Sequence, residues 1–183
     1  VFMIKLHLKV NDKITLKVPE IDDAQSVFEL VEKNRKHLET FMEWESKTNS
    51  LQDILDYFER NKHLSYYDSD FPLIIRYENE IVGIVGYNKG NAFQKTVDIG
   101  YWISKDFTQR GIVTKCCQAL INFAFSMTDI EKIYIKCEIT NSRSYAIAMK
   151  LGFEFVEQVK GGCYLKNGNA EMISFELRKP EIL

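Results

Sequence analysis

Proline and glycine are scarce, at three and nine of 183 residues. That excludes a collagen-like repeat or a low-complexity chain, both of which need them in bulk. No charge sign dominates, since 24 Lys+Arg stand against 26 Asp+Glu for a net charge of −2. Without a basic excess or a long basic run, the chain lacks the footprint of a general nucleic-acid coat. A local pocket for one small anion is untouched by that argument. No stretch approaches the length of a membrane-spanning helix without polar interruption, and Val1–His7 is too short and charged for a signal peptide. Cysteine is confined to Cys116, Cys117, Cys137 and Cys163, with no C-x-x-C spacing and no histidine cluster. Neither a zinc site nor a disulfide framework is expected, and no metal. Cys116, Cys117 and Cys137 sit in apolar patterns and read as reduced core thiols. A reduced, cytoplasmic protein is the expectation.

What is present is ordinary globular material. Apolar residues make up 45% and charged residues 27%, and 12 Phe, 9 Tyr and 2 Trp supply a sizeable core. A length within the usual one-domain range predicts a single domain over 1–183.

Periodicity then divides the chain. Residues 3–10 and 13–18 alternate around Asn11-Asp12-Lys13 and read as a hairpin that Pro19 stops. Asp22 or Asp23 caps a helix with the stripe Ala24, Val27, Phe28, Val31 and Leu38. Asn49 or Ser50 caps a second, with Leu51, Ile54, Leu55 and Phe58 on one face. Strands follow at 71–77 and 81–87, with a turn expected at Lys89-Gly90-Asn91. Val97, Ile99, Tyr101 and Ile103 alternate with Asp98, Gly100, Trp102 and Ser104 in a clear period-two strand. Gly111 to Met127 is the strongest helix. A strand at 133–139, a short helix capped by Asn141 and stopped by Gly152, and strands at 153–159 and 172–177 complete the pass. The last two strands flank a turn at Lys166-Asn167-Gly168. The pattern describes one mixed α/β domain.

Two segments carry candidate chemistry. Between Asp98 and Lys115 a strand ends, a polar loop follows and a long helix begins at Gly111. Free N–H groups and the positive end of the helix dipole meet there, which makes an anion site. Gly111 lets a phosphate approach the backbone, and Arg110 and Lys115 add charge. The loop lacks the G-x-x-x-x-G-K-[ST] spacing of ATP-binding loops. The second segment, Asn141 to Phe153, presents Ser144 near the start of a capped helix.

Together the segments resemble the GNAT superfamily of acetyl-CoA-dependent N-acetyltransferases, in detail its Rim-type branch of ribosomal-protein N-terminal acetyltransferases. The resemblance is carried by Ile99-Gly100-Tyr101-Trp102-Ile103, Gly111-Ile112-Val113-Thr114-Lys115, and Asn141-x-x-Ser144 followed by Leu151-Gly152-Phe153. His37-Leu38 with Trp44, and Tyr164 to Gly168 followed by Glu171, extend it over nearly the whole chain. The usual loop pattern Q/R-x-x-G-x-G/A is kept here only at Gly111, with Thr108 first and Val113 last. Cys163 stands where the branch often has a glutamate proposed as base, so no base role carries over to it.

The resemblance implies an α/β (α+β) fold: a central mixed, mostly antiparallel, splayed sheet of about seven strands flanked by about four helices. It implies acetyl transfer from acetyl-CoA to a primary amine by direct attack, the acceptor being a protein or peptide N-terminal α-amine such as that of a ribosomal protein. A small-amine acetyltransferase acting on a polyamine, amino acid or antibiotic, and a non-catalytic acyl-CoA-binding module, stay open as alternatives. Acetyl-CoA would lie between strands 97–104 and 133–139, its pantetheine held near Ile103, its thioester oxygen near Trp102, and its pyrophosphate on the amides of Gln109, Arg110, Gly111, Ile112, Val113 and Thr114. Ser144 is the candidate acid toward the leaving thiolate, and Asn141 orients the cofactor or caps the Ser144 helix. Asp98 and Glu43 are candidates to receive the amine's proton. Trp44, Glu43 and Tyr101 are candidates for the acceptor side. Neither nucleic acid nor membrane is expected as a partner, and a homodimer is compatible with the resemblance.

Overall fold

Asn11 closes the first turn through its side chain, which accepts the N–H groups of Lys13 (2.9 Å) and Ile14 (2.8 Å). The turn joins β1 (His7–Lys9) to β2 (Ile14–Lys17) in the expected antiparallel hairpin. The structure, a computed structural model, describes residues 6–63, 65–163 and 170–181, with only the main chain at 161–163. The expected turn at Lys166-Asn167-Gly168, the motif from Tyr164 to Gly168 and the side chain of Cys163 lie outside the described residues.

The capping signals work as local chemistry predicts, with one adjustment. Glu20 and Asp23 form a reciprocal capping box around a 3-10 turn (Ile21–Asp23), from which α1 (Ala24–Leu38) continues. Asp23 is also buried against Arg76 at 2.6 Å, a tertiary bond that sequence spacing does not show. Ser50 and Asp53 form the same kind of box at the start of α2 (Leu51–Arg60). Glu78 and Asn79 adopt φ of 50° and 72° in the two-residue turn joining β3 (Phe71–Tyr77) to β4 (Glu80–Asn91). The turn expected at 89–91 lies instead at 92–95, before β5 (Thr96–Ile103). Gly90 is held in the strand because its N–H bonds the carbonyl of Tyr66 (3.0 Å), and pairing resumes at Asn91 opposite Thr96.

After β5 come α3 (Ile112–Met127), β6 (Lys132–Glu138), α4 (Ser142–Lys150), β7 (Glu154–Cys163) and β8 (Ala170–Arg178). Eight strands form one sheet in the order β1-β2-β3-β4-β5-β6-β8-β7, against about seven expected. The expected N-terminal hairpin joins this sheet, since β2 pairs with β3. Every pairing is antiparallel except β5 with β6.

Two cores hold the layers. Val27, Val31, Ile54, Phe58, Ile84 and Trp102 pack α1 and α2 on one sheet face. On the other, α3 and α4 cover a larger core around Val85, Tyr87, Leu120, Ile133 and Phe175. Cys116, Cys117 and Cys137 are free and buried. Within the larger core the Tyr87 hydroxyl donates to the Leu120 carbonyl at 2.6 Å. Tyr87→Phe deletes this buried bond at nearly constant volume. The expected loss is about 1 kcal/mol, or roughly 2–4 °C in Tm for a chain of this size. Thermal unfolding followed by circular dichroism checks it, and an unchanged Tm removes the bond from the account of stability.

Candidate active site

The only parallel pair in the described sheet is also a short one. β5 and β6 pair at Thr96↔Lys132, Val97↔Ile133 and Asp98↔Tyr134, then diverge. Beyond Asp98 the β6-facing edge of β5 has lost its ladder, so its main-chain groups are open to a ligand. Ser104 N–H donates to the Val82 carbonyl on β4 at 2.8 Å. The period of two then turns the main-chain groups of Trp102 and Gly100 toward β4 and those of Ile99, Tyr101 and Ile103 into the fork.

α1 reaches over this fork. The buried Asn34 accepts from Ser104 Oγ (3.2 Å) and from the Lys105 N–H (2.8 Å). A helix face is thereby bonded to the residues that follow β5.

The head of α3 opens beside the same edge. Gln109 has φ of 61° and Gly111 φ of 70°, both left-handed. For glutamine that conformation is uncommon. A left-handed residue followed by a right-handed one, here Gly111 and Ile112, turns successive N–H groups toward one side, an arrangement suited to anions. Gly111 is the N-cap and supplies no side-chain acceptor to the first amides of α3. A Cβ at Gly111 would meet nothing within 4 Å, so the helix head is open. Of the expected basic groups, Arg110 folds away: its guanidinium lies over the Phe107 ring at 4.8 Å and donates to the Asp106 carbonyl at 2.8 Å.

α4 enters from the far side. Asn141 Oδ1 accepts the Ser144 N–H at 3.2 Å, the expected cap, and both side chains are buried. Gly152 at φ of 79° ends the helix as expected.

These elements enclose two adjoining cavities. One, of about 560 Å³, lies under α1 and α2 and includes Trp44, Ile54, Tyr57 and Ile84. The other, of about 540 Å³, runs from His37 and Ile103 past Gln109, Gly111 and Thr114 to Arg143. Tyr101, Trp102, Asn141 and Ser144 line both, with Phe41 and Met42. The walls differ in charge. Arg143, His37 and the Tyr101 phenol are the ionisable groups of the second wall, which has no carboxylate. The first wall carries Asp53, Asp56, Asp70 and Glu138 beside Lys47, Arg60 and Lys136. Burial, reinforced by Arg143, pushes the His37 imidazole down and keeps it neutral near pH 7. Positive potential on the second wall therefore comes from Arg143 and the amides of α3.

The sequence-predicted residues divide accordingly. Ser144, Asn141, Tyr101 and Trp102 meet at the junction. Ile103, Gln109, Gly111, Ile112, Val113 and Thr114 lie along the second cavity, and Trp44 lies in the first, 5.7 Å from Trp102 between ring centroids. Asp98 and Glu43 line neither. Asp98 is paired with Lys136 at 2.8 Å and Glu43 with Lys47 at 3.0 Å, so each lysine, not the carboxylate, faces the cavity. Those pairings are non-local or depend on a 3-10 turn (Glu43–Lys47), and spacing alone does not show them.

Two features escaped the sequence reading. The Tyr101 hydroxyl is buried without a hydrogen-bond partner. Cys137 lies on the first wall, where burial pushes its thiol up to about 11. Cys137 thus stays protonated near neutral pH and is a poor nucleophile.

The Acetyltransferase (GNAT) domain family matches residues 13–154. The ribosomal-protein-serine acetyltransferase of Escherichia coli (strain K12) is 25% identical over 146 residues, covering 80% of this chain and 82% of its own. A solved structure of the microcin C7 self-immunity acetyltransferase MccE, in complex with acetyl-CoA and AMP, superposes with a TM-score of 0.87 at 28% identity, over 93% of this chain and 95% of that one. RimL, a ribosomal L7/L12 α-N-protein acetyltransferase solved in complex with coenzyme A, shares the fold at a TM-score of 0.90 and 23% identity, over 94% of this chain and 98% of that one.

Proposed function

The chain belongs to the GNAT acetyltransferase family, and from that premise we propose that it moves the acetyl group of acetyl-CoA onto the N-terminal α-amine of a protein or peptide. The observation that carries this reading is the junction at Ser144 of two cavities, one lined without carboxylates and the other with carboxylates and basic groups together. An anionic carrier suits the carboxylate-free wall under the amides of α3. An amine suits the wall where Asp53, Asp56, Asp70 and Glu138 stand beside Lys47, Arg60 and Lys136, an excess of one carboxylate.

The chemistry asked of this chain is modest. The open amides of residues 109–114 hold the pyrophosphate, and the edge of β5 at Tyr101 and Ile103 holds the pantetheine. A main-chain N–H on that edge stabilises the thioester oxygen as charge develops on it. The amine nitrogen bonds to the acetyl carbon, the carbon–sulfur bond breaks, and Ser144 donates a hydrogen bond to the departing sulfur. A thiol of pKa about 8.5 leaves with little help near neutral pH. The amine gives its proton to water in the acceptor cavity. Cys137, held protonated, is not needed as an acyl carrier.

A peptide α-amine, pKa about 7.7–8.0, is roughly one-tenth neutral at pH 7, and a lysine amine, about 10.4, far less. With N-terminal peptides, kcat/KM is expected to rise about tenfold per pH unit below 7 and level off near 8. Thiol release from acetyl-CoA, measured across pH with α-amine peptides, lysine peptides and small amines, checks this. A rate that keeps climbing past pH 9, or activity on small amines alone, rejects the N-terminal acceptor. The second reading, a small amine, draws on the aromatic Trp44–Trp102 wall and on the AMP bound in the MccE complex. The same panel decides between them. Binding without release from any acceptor would leave an acyl-CoA-binding module.

A further inference from the structure

A buried hydroxyl with no partner costs about 1–3 kcal/mol, and native proteins rarely keep one without a use. Among the described residues, the Tyr101 hydroxyl is such a group. Its position is specific. Tyr101 lies on β5 past the fork, on the sheet face shared with Ile99 and Ile103 and covered by α3 and α4. It lines both cavities, as do Asn141 and Ser144. Asn141 Oδ1 is already engaged by the Ser144 N–H. The neighbours that act on the phenol are Ser144, Cys117 and Cys137, and of these only Ser144 is a good oxygen acceptor.

We propose that Tyr101 is a positioning residue for acetyl transfer: its phenol O–H donates to Ser144 Oγ and so aims the Ser144 hydroxyl proton at the leaving sulfur. The Ser144 hydroxyl already acts on the phenol, and its own O–H can rotate toward another acceptor. The phenol does not enter the proton balance. Burial pushes it far above its ordinary range, with Ser144 acting in the opposite sense but more weakly, so it remains a donor throughout the working pH range. Ser144 in turn has one lone pair occupied by the phenol and its single proton left for sulfur. The inference rests on the acetyl-transfer reading above.

A double-mutant cycle tests it: wild type, Tyr101→Phe, Ser144→Ala and the double variant, each assayed for thiol release with the best acceptor. Tyr101→Phe is expected to lower kcat about three- to tenfold, the range of one neutral hydrogen bond, with KM for acetyl-CoA within about twofold. Its Tm should stay within about 2–4 °C of wild type, because at most one neutral hydrogen bond is removed. On the Ser144→Ala background the same change should alter kcat less than about 1.5-fold. The pH profile of Tyr101→Phe should keep its shape, since no titrating group is lost. Losses that multiply in the double variant overturn the proposal in favour of an independent contact with substrate. A lost pH limb makes Tyr101 a base and overturns it too, as does unchanged kcat in an active wild type. A wild type without turnover on any acceptor rejects the acetyl-transfer reading itself and this inference with it.

Discussion

Gly111→Asp is expected to weaken acetyl-CoA binding by about 100-fold or more while changing stability by no more than about 1 kcal/mol. One carboxylate has effects of opposite sign: it repels phosphate, and at the helix head it offsets the strain that a side chain brings at this φ. At φ of 70° Gly111 is left-handed, a conformation that aspartate tolerates better than most residues, and a Cβ there meets nothing within 4 Å. The new carboxylate lies at the head of α3, where it interacts favourably with the helix dipole. Those amides are the groups proposed to hold the pyrophosphate. A carboxylate about 4 Å from a phosphate repels it by about 4 kcal/mol at an effective dielectric of 20, and by roughly 2–3 kcal/mol after allowing for solvent at an exposed site. About 2.7 kcal/mol is 100-fold in Kd. Isothermal titration with acetyl-CoA and thermal unfolding, run on the same sample, read both signs. Gly111→Ala adds the backbone strain without the charge and should lose far less affinity. Wild-type affinity in Gly111→Asp would remove the head of α3 from the binding site.

Ser144→Ala is expected to lower kcat about 10- to 100-fold with acetyl-CoA affinity unchanged within about twofold. The cap of α4 survives, because Asn141 Oδ1 bonds the Ser144 main-chain N–H and not its side chain. The fold around the junction should therefore hold, and the loss belongs to the leaving group. A full general-acid effect runs to about 100-fold or more, but a thiol of pKa about 8.5 needs less assistance than an alkoxide, which sets the lower expectation. If acceptors whose later steps are slow mask the loss, single-turnover thiol release isolates the chemical step. Turnover within about twofold of wild type in that assay would strip Ser144 of its role.

The charge division between the cavities gives these two variants distinct signatures. Gly111 lies on the carboxylate-free wall, whose binding should weaken with added salt. Ser144 lies where the walls meet, and its effect should be insensitive to salt. Asp98 and Glu43 show how far local reading reaches. Both look like free carboxylates near the relevant strand and turn, yet each is bound to a lysine, and the lysine occupies the wall. Arg110 errs in the same way: it follows the loop in sequence but stacks on Phe107.

The features legible in the chain itself are those decided within a few residues. Ser50 with Asp53, Asn141 with Ser144, and Gly152 make their bonds or turns inside one helical turn, so residue identity suffices. Gly111 at the head of α3 belongs with them, as does the alternation that makes β5 a strand. What needed three dimensions was decided by partners far away in sequence. Pairing between β5 and β6 stops at Asp98 opposite Tyr134, and that stopping point opens the cleft. The bond from Ser104 to Val82 sets which residues of β5 turn their main chain into it. The period of a strand says that neighbours face opposite ways, but only the strand beside it says which way each one faces.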